Sequence, residues 1–342
     1  MLIGLHDAEK DHMKNKCFPN YALMKLSAYH KAKGDEVEWW KPLDRNHYDM
    51  VYSSKVFDFT PENPYLPENA ARGGTGYGVV DDLSKGIFSR LAADVDAMPP
   101  DYTIYPNCDY AIGYLTRGCI RACSWCCVSA KEGYIKPYRN LADVLRPDPP
   151  AGRAGTNKLV LMDNNILACN HGIEQLELLA FNFTNIRLDL NQGIDARLVD
   201  NRIAEILTKI KWTRYIRFSC DSKAQINSVV NSAEMLISLG TAPSKIFVYL
   251  LVTQDVADAA YRVERLKRIK SITIYAQPER NSRMGIPPPN AEQKEFCQRY
   301  IYGGAWRKES WEDYCEKRKS YGKRRYIGTQ TKQEKQAKSK SN

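Results

Sequence analysis

Residues 116–133 read Thr-Arg-Gly-Cys-Ile-Arg-Ala-Cys-Ser-Trp-Cys-Cys-Val-Ser-Ala-Lys-Glu-Gly, which sets Cys119, Cys123 and Cys126 at Cys-x3-Cys-x2-Cys. Three thiolates on so short a loop can wrap one soft metal centre. Iron–sulfur clusters usually take four cysteines, so a four-iron cluster held by three leaves one iron open to a substrate or cofactor. Zinc is the alternative, yet structural zinc sites are closed by four ligands in paired spacings and no matching Cys or His pair lies nearby. Cys127, beside the third cysteine, reads as a buried thiol, as do Cys108 and Cys169.

Outward from this loop the chain alternates strand-like and helix-like runs. Ala111 to Leu115, Lys158 to Met162, Asn185 to Leu190, Arg214 to Cys220, Lys245 to Val252 and Ser271 to Ala276 read as strands, and Ile173 to Phe181, Arg202 to Ile210, Ile226 to Leu239 and Val256 to Ile269 as helices between them. Such alternation predicts an α/β fold with a parallel sheet, open or curled into a partial barrel. In the third and fourth strands one face is apolar (Ile186, Leu188, Leu190; Ile216, Phe218, Cys220) and the other polar (Arg187, Asp189, Asn191; Arg217, Ser219, Asp221). Helix-covered parallel strands are normally apolar throughout, so the polar face points to a wet interior holding a site; an Asp189–Arg217 salt bridge without a ligand is the plainer explanation.

With Trp125 immediately before its third cysteine, the motif resembles the signature of the radical S-adenosylmethionine (SAM) enzymes, and its place after the first strand of a six-unit β/α region agrees with that superfamily's partial (β/α)6 TIM-like barrel. The resemblance implies a [4Fe-4S] cluster on Cys119, Cys123 and Cys126 whose open iron binds the amino and carboxylate groups of SAM. Electron transfer into SAM then yields methionine and a 5′-deoxyadenosyl radical that abstracts hydrogen from a substrate. An electron donor such as flavodoxin or ferredoxin is the implied partner. Thr116-Arg117-Gly118 and Val128 to Gly133 resemble the branch containing cobalamin-type enzymes and tRNA methylthiotransferases. There the second strand's end, here Asp163-Asn164-Asn165, contacts the SAM amino group. Asn191-Gln192-Gly193-Ile194-Asp195-Ala196-Arg197 and the end of the fourth strand, from Arg217 through Ser219 to Asp221, resemble segments around the SAM ribose and carboxylate.

The first hundred residues read as a small Rossmann-like or flavodoxin-like unit. Leu2 to Leu5 is a strand, Ala22, Leu23, Leu26 and Tyr29 give a helix ending near Gly34, and Val37 to Trp40 and Met50 to Ser53 supply two more strands. Residues 60–100, rich in Pro and containing Gly73-Gly74-Thr75-Gly76-Tyr77-Gly78, read as a connector whose glycines follow no strand and lack dinucleotide spacing. Asp7 and His12 do not match the Asp-x-His-x-x-Gly of cobalamin domains, which argues against cobalamin. A single cysteine before residue 105, Cys17, argues against the second cluster of a methylthiotransferase, and Cys297 and Cys315 read as core rather than an auxiliary cluster. His171 is a further candidate substrate contact.

The domain expectation is therefore 1–100 Rossmann-like, 101–280 radical SAM core, 281–320 helical cap and 321–342 disordered basic tail. Ten of the lysines and arginines fall in residues 317–342 against Glu334 alone, so nine of the ten net positive charges lie there and the body is close to neutral. That tail reads as a solubility segment or as a weak nucleic-acid anchor. Ten cysteines among 342 residues are too few for a disulfide scaffold. The start MLIGLHDAEK has no signal-peptide core, and no apolar run is of bilayer length, so the expected setting is a reducing cytoplasm and no membrane. The expected function is radical SAM chemistry on an unidentified substrate, leaning toward nucleic acid or a nucleotide derivative. The rival is a non-enzymatic, zinc-stapled nucleic-acid-binding protein.

Overall fold

Alternating apolar residues in Leu2–Asp7 (β1) bury Ile3 and Leu5 against Leu23, Met24 and Leu26 of the helix Tyr21–Ala32, and this contact seeds the N-terminal layer. The computed structural model describes residues 1–12, 18–44, 46–146, 157–280, 285–300 and 308–319. After the short helix Ala8–His12 (α1), Asn20 caps α2 (Tyr21–Ala32) by accepting from Leu23 N at 3.2 Å, and Gly34 turns the chain at φ 84°. β2 (Glu36–Trp39), β3 (Met50–Ser54), β4 (Ala71–Gly73) and β5 (Ile87–Phe88) complete a parallel sheet in the order β2-β1-β3-β4-β5.

The connector expected over 60–100 is thus partly sheet, and the glycine run does follow a strand. β4 is three residues long and carries no apolar alternation, which hid it. The glycines allow a close approach: a Cβ on Gly74 (φ 93°) would stand 2.3 Å from Lys55 O, and one on Gly76 2.6 Å from Lys55 Cγ.

Past α3 (Ala93–Ala97) comes the core. Its strands are β6 (Ala111–Gly113), β9 (Lys158–Leu161), β10 (Arg187–Leu190), β12 (Ile216–Cys220), β13 (Ile246–Val252) and β14 (Thr273–Pro278); β7 (Thr116–Arg117) and β8 (Lys136–Pro137) form a small antiparallel ribbon. The helices are α4 (Val128–Glu132), α5 (Leu141–Val144), α6 (Asn170–Asn182), α7 (Asn201–Lys209), α8 (Ile226–Ser238) and α9 (Val256–Leu266). One sheet runs β11-β10-β9-β6, where β11 is Lys211–Trp212, and a second runs β12-β13-β14, all parallel. A bridge between Ile194 and Phe218 joins them in the same chain offset as the Leu188–Trp212 pair. In the gap between these pairings the Arg217 guanidinium reaches Leu190 O and the Asp189 carboxylate, substituting side-chain bonds for ladder bonds. β12 also starts two residues later than expected, because Arg214 and Tyr215 lie in this gap.

The main apolar cluster fills the space between strands and helices, and includes Leu159, Leu188, Phe218, Val248 and Ala276. It extends to Phe296 and Tyr300 of α10 (Ala291–Tyr300) and to Trp311 in the helix over residues 311–319. Lys317 and Arg318 on that helix pair with Glu309 and Glu295, so part of the charge counted with the tail belongs to the folded cap. Residues 320–342, and with them the expected disordered tail, lie outside the described residues, as does Cys17. No helix among the described residues is long and apolar enough to cross a membrane.

On the inner face of β6 and β9, Ile112 and Met162 join the N-terminal cluster, so the first domain packs directly on the core's first strands. The same interface holds Lys25, fully buried on α2, which donates to Asp96 O at 2.5 Å, to Asp96 Oδ1 at 2.8 Å and to Tyr138 Oη. Arg139 adds a bond to Asp96 O at 3.0 Å. The Lys25 side chain is 0% exposed and that of Asp96 38%. Loss of the Asp96 carboxylate takes the counter-charge from a buried ammonium that keeps only the backbone carbonyl and Tyr138 Oη, whereas loss of Lys25 leaves a carboxylate that reaches water. Asp96→Ala is expected to lower stability by about 2 kcal/mol and Lys25→Met by less than about 1 kcal/mol, compared as urea midpoints. Equal losses would show that the asymmetry of burial does not govern this network.

Candidate functional site at the cysteine loop

The cysteine loop leaves the core through a narrow neck. Arg117 on β7 donates from Nε to Glu132 Oε2 at 3.0 Å and from Nη2 to Oε1 at 2.7 Å, a forked pair that ties the loop's two ends, and its guanidinium lies 4.2 Å over the Tyr114 ring. Gly118 (φ 92°) faces the returning chain so closely that a Cβ would sit 2.5 Å from Tyr134 O. Cys119 N donates to Gly133 O at 3.2 Å, and Cys126 N to Cys123 O at 3.0 Å.

Asp163, just beyond β9, anchors the neck from below. Its carboxylate accepts from Leu115 N at 3.1 Å, Thr116 N at 2.5 Å and Thr116 Oγ1 at 2.7 Å. Burial pushes its pKa up to about 6 against these donors. Asn165 is 5% exposed; its Nδ2 donates to Cys119 Sγ at 3.5 Å, while its Oδ1 is buried with no hydrogen-bond partner among the described residues. Cys119 Sγ also accepts from Arg121 N at 3.3 Å. Asn164, between these two, is half-buried.

The loop after β10 reaches the cysteine loop through charge. Asp195 accepts from Arg121 Nε at 3.0 Å and from Arg197 Nε at 2.7 Å and Nη2 at 3.0 Å. Burial raises its pKa, but the two guanidinium groups outweigh that and hold the carboxyl below its usual range. Asn191 and Gln192 bond to one another at 3.2 Å, with Gln192 exposed. At the end of β12, Ser219 N donates to Ile194 O at 3.2 Å.

Asp221 follows β12, and among the described residues its carboxylate accepts no hydrogen bond. Burial pushes its pKa up to about 6, opposed by Arg262 and Arg197. Arg262, 0% exposed on α9, pins the neighbouring backbone by donating to Cys220 O at 2.5 Å and Leu251 O at 2.8 Å. The three cysteines are half-buried. Burial first, and neighbouring thiols and carboxylates second, push Cys123 and Cys126 above the ordinary thiol range. Asp221, Arg197 and Asp195 all lie close enough to act on Cys123.

The structure therefore gathers Cys119, Cys123, Cys126, Asn165, Asp195 and Asp221 at the carboxyl ends of the core strands, with Trp125 half-buried within the loop. It spends other expected residues internally. Arg217 is held by Asp189, the salt bridge weighed for the polar strand face, and His171 Nε2 is 2.9 Å from Arg139 O. Cys108, Cys220 and Cys297 are buried, while Cys127 and Cys169 are half-buried. Arg121, Glu132 and Arg262 were not singled out from the sequence; Arg121 lies inside the cysteine motif, but nothing in the chain marked its partner. Among the described residues no three His, Cys, Asp or Glu side chains converge as a single-ion site demands.

No family model and no curated protein match this chain. Among solved structures its fold is similar to that of TsrM from Kitasatospora setae, a radical S-adenosylmethionine methyltransferase. The likeness has a TM-score of 0.57 at 13% identity, and covers 81% of this chain and 72% of the form carrying tryptophan and aza-SAM. The form carrying cobalamin and a [4Fe-4S] cluster gives the same TM-score and identity, with 74% of that chain covered. At this identity the likeness is one of fold.

A carboxyl group whose pKa is raised by folding is best tolerated uncharged. Its contribution to stability is full below the ordinary value of 3.8 and is lost as pH rises through about 6. Asp221→Asn is therefore expected to stabilise the ligand-free protein by about 2 kcal/mol at pH 7.5, the gain fading as pH falls through 6 toward 4. Urea titrations at several pH values measure this; a gain that does not depend on pH would remove the assigned cause.

Proposed function

We propose that this chain is a radical SAM enzyme, with Cys119, Cys123 and Cys126 holding a [4Fe-4S] cluster and the surrounding strand ends holding SAM. The observation that carries the reading is Asn165, whose amide donates to the Cys119 sulfur and keeps a buried, unpaired Oδ1 beside it. A buried acceptor without a partner costs about 1–3 kcal/mol. An ammonium group, such as the amino group of SAM, relieves that cost, so the donor set fits both groups.

When bound, the cluster and SAM supply one-electron chemistry that amino-acid side chains lack. The chain's own residues do the positioning. Arg121 N and Asn165 Nδ2 direct hydrogens at the Cys119 sulfur and orient it, the Arg117–Glu132 neck fixes the loop, and the Asp195 ion triad ties it to the next strand end. The strand order runs strictly along the chain from β6 to β14 with helices between, as in a singly wound β/α barrel left open, and the order of the first sheet is that of flavodoxin-like domains. TsrM binds cobalamin; here Asp7 is engaged with Tyr105 Oη and His12 is exposed, and the first domain is read as lacking a corrinoid. An external electron donor of the flavodoxin or ferredoxin kind completes the reading.

Anaerobically reconstituted protein is expected to be brown and to contain iron and sulfide. Replacing Cys119, Cys123 or Cys126 by Ala should abolish iron binding, and Cys127→Ala should retain it; equal iron loss in all four variants overturns the ligand assignment, and a colourless zinc protein overturns the function. Dithionite-reduced protein should convert SAM to 5′-deoxyadenosine. Asn165→Leu, which removes the acceptor while keeping the volume, should weaken SAM binding by about tenfold with the cluster intact. Chromatography that finds no 5′-deoxyadenosine from iron-loaded, reduced protein rules the enzyme reading out.

A further inference from the structure

The first domain and the core leave a small cavity between them, apart from the site at the cysteines. Tyr21 of α2 lines it from the first domain, Arg139 and Asp143 line it from the core, and Met98, Pro99 and Pro100, just past α3, add an apolar wall. Its volume is about 220 Å³. At about 30 Å³ per water that is room for roughly seven waters, which suits a molecule of amino-acid size and excludes a nucleotide or SAM. Rings stand between this cavity and the cysteine loop. Tyr21 meets Tyr114 edge to face with centroids 5.7 Å apart, and Tyr114 in turn carries the Arg117 guanidinium of the neck at 4.2 Å.

The polar groups of the cavity are positioned but unmatched. Arg139 Nη2 donates to Asp96 O at 3.0 Å and to Ala97 O at 2.6 Å, which fixes the guanidinium against the end of α3; among the described residues its Nε and Nη1 donate to nothing. The Asp96 carboxylate is already taken by Lys25 and Tyr138, so Arg139 keeps a positive charge without an ion-pair partner among the described residues. Asp143 is exposed and spends Oδ2 on Asn140 N at 3.2 Å, while its Oδ1 accepts nothing among the described residues. One cavity is thus lined by a guanidinium and a carboxylate that no ion pair joins. The Tyr21 hydroxyl, 3.5 Å from where a Cβ on Gly113 would stand, makes no hydrogen bond among the described residues either.

Opposite charges held apart in one small space match a molecule that carries both, because each end then meets its counter-charge. A guanidinium fork takes a carboxylate, and a carboxylate accepts from an ammonium group. The methionine and proline wall repays an apolar side chain and not a polar one, whose lost water it does not replace.

We propose that this cavity is a binding site for a small apolar α-amino acid in its zwitterionic form, with Arg139 taking the carboxylate, Asp143 the ammonium group, and Met98, Pro99 and Pro100 the side chain. An occupant touches both the first domain and the core. The site makes no use of the cluster, so it goes beyond the radical SAM reading without resting on it.

Isothermal titration calorimetry on the full, reconstituted chain tests this with L-leucine as the probe. Saturable binding is expected. Three analogues should each bind at least about tenfold more weakly: 4-methylpentanoate, which lacks only the amino group; 3-methylbutylamine, which lacks only the carboxylate; and L-asparagine, which keeps the shape of leucine with a polar side chain. Asp143→Asn and Arg139→Gln should likewise weaken leucine binding by about tenfold or more. Asp143 is exposed and the analogue series needs no variant, so the test stands even where Arg139→Gln fails to fold. Leucine is also able to chelate an open iron, and Cys119→Ala, which holds no cluster, separates the two sites: the folded variant should bind leucine as wild type does. No leucine binding, equal binding of any of the three analogues, folded Arg139 and Asp143 variants that bind as wild type, or leucine binding that disappears with Cys119→Ala overturns the site. A 5′-deoxyadenosine assay on the same samples keeps the readings apart, since its failure alongside intact leucine binding removes the enzyme function alone.

Discussion

The Asp163 carboxylate takes the hydrogens of Leu115 N, Thr116 N and Thr116 Oγ1, and these bonds fix the point at which the first core strand gives way to the cysteine loop. The carboxylate is nearly inaccessible to water, so it must be satisfied by the chain, and three directed donors leave little freedom in where Thr116 and Arg117 can lie. Arg117 then sets Glu132, and Gly118 sets the returning backbone. The cysteines inherit their placement from a residue some forty positions away, just past the end of a different strand.

Charges at the site divide into two kinds. Asp195 is compensated by two guanidinium groups and acts as a fastener between loops. Asp221 and the Asn165 Oδ1 lack such bonds among the described residues: one is a half-buried carboxyl whose loss of water Arg262 and Arg197 only partly offset, the other a buried acceptor without a donor. A protein selected for stability alone would not keep two such groups around one loop, and strand ends where folding costs are left unrecovered are where binding can recover them.

Much of this was legible in the sequence, for definable reasons. From Lys158 to Ala276 the strands show because their core-facing side chains are uniformly apolar at period two, and the cysteine spacing shows because metal chemistry constrains neighbours along the chain. Contacts across the chain left no such mark. Arg117 and Glu132 are ordinary surface-type residues until the fold places them face to face, and Lys25 sits among helix residues with nothing to reveal that it is buried against Asp96. β4 and β5 escaped notice because two or three residues cannot display a period. Arg217 was read two ways, as a group near the SAM segments and as the partner of Asp189, and the salt bridge is present.

The seam between β10 and β12 has a mechanical consequence. Among the described residues one backbone bridge, at Ile194 and Phe218, and the side chain of Arg217 carry the sheet across it, so the two half-shells of strands share a single rung while one apolar core backs both. That rung belongs to the loop that also touches Tyr249 and pairs with the cysteine loop. A molecule seated between Asn165 on one half-shell and Asp221 on the other would act as a rivet across this seam. Occupancy of the site and cohesion of the whole shell would then rise and fall together, and backbone amides along the seam would report on both through their exchange with solvent.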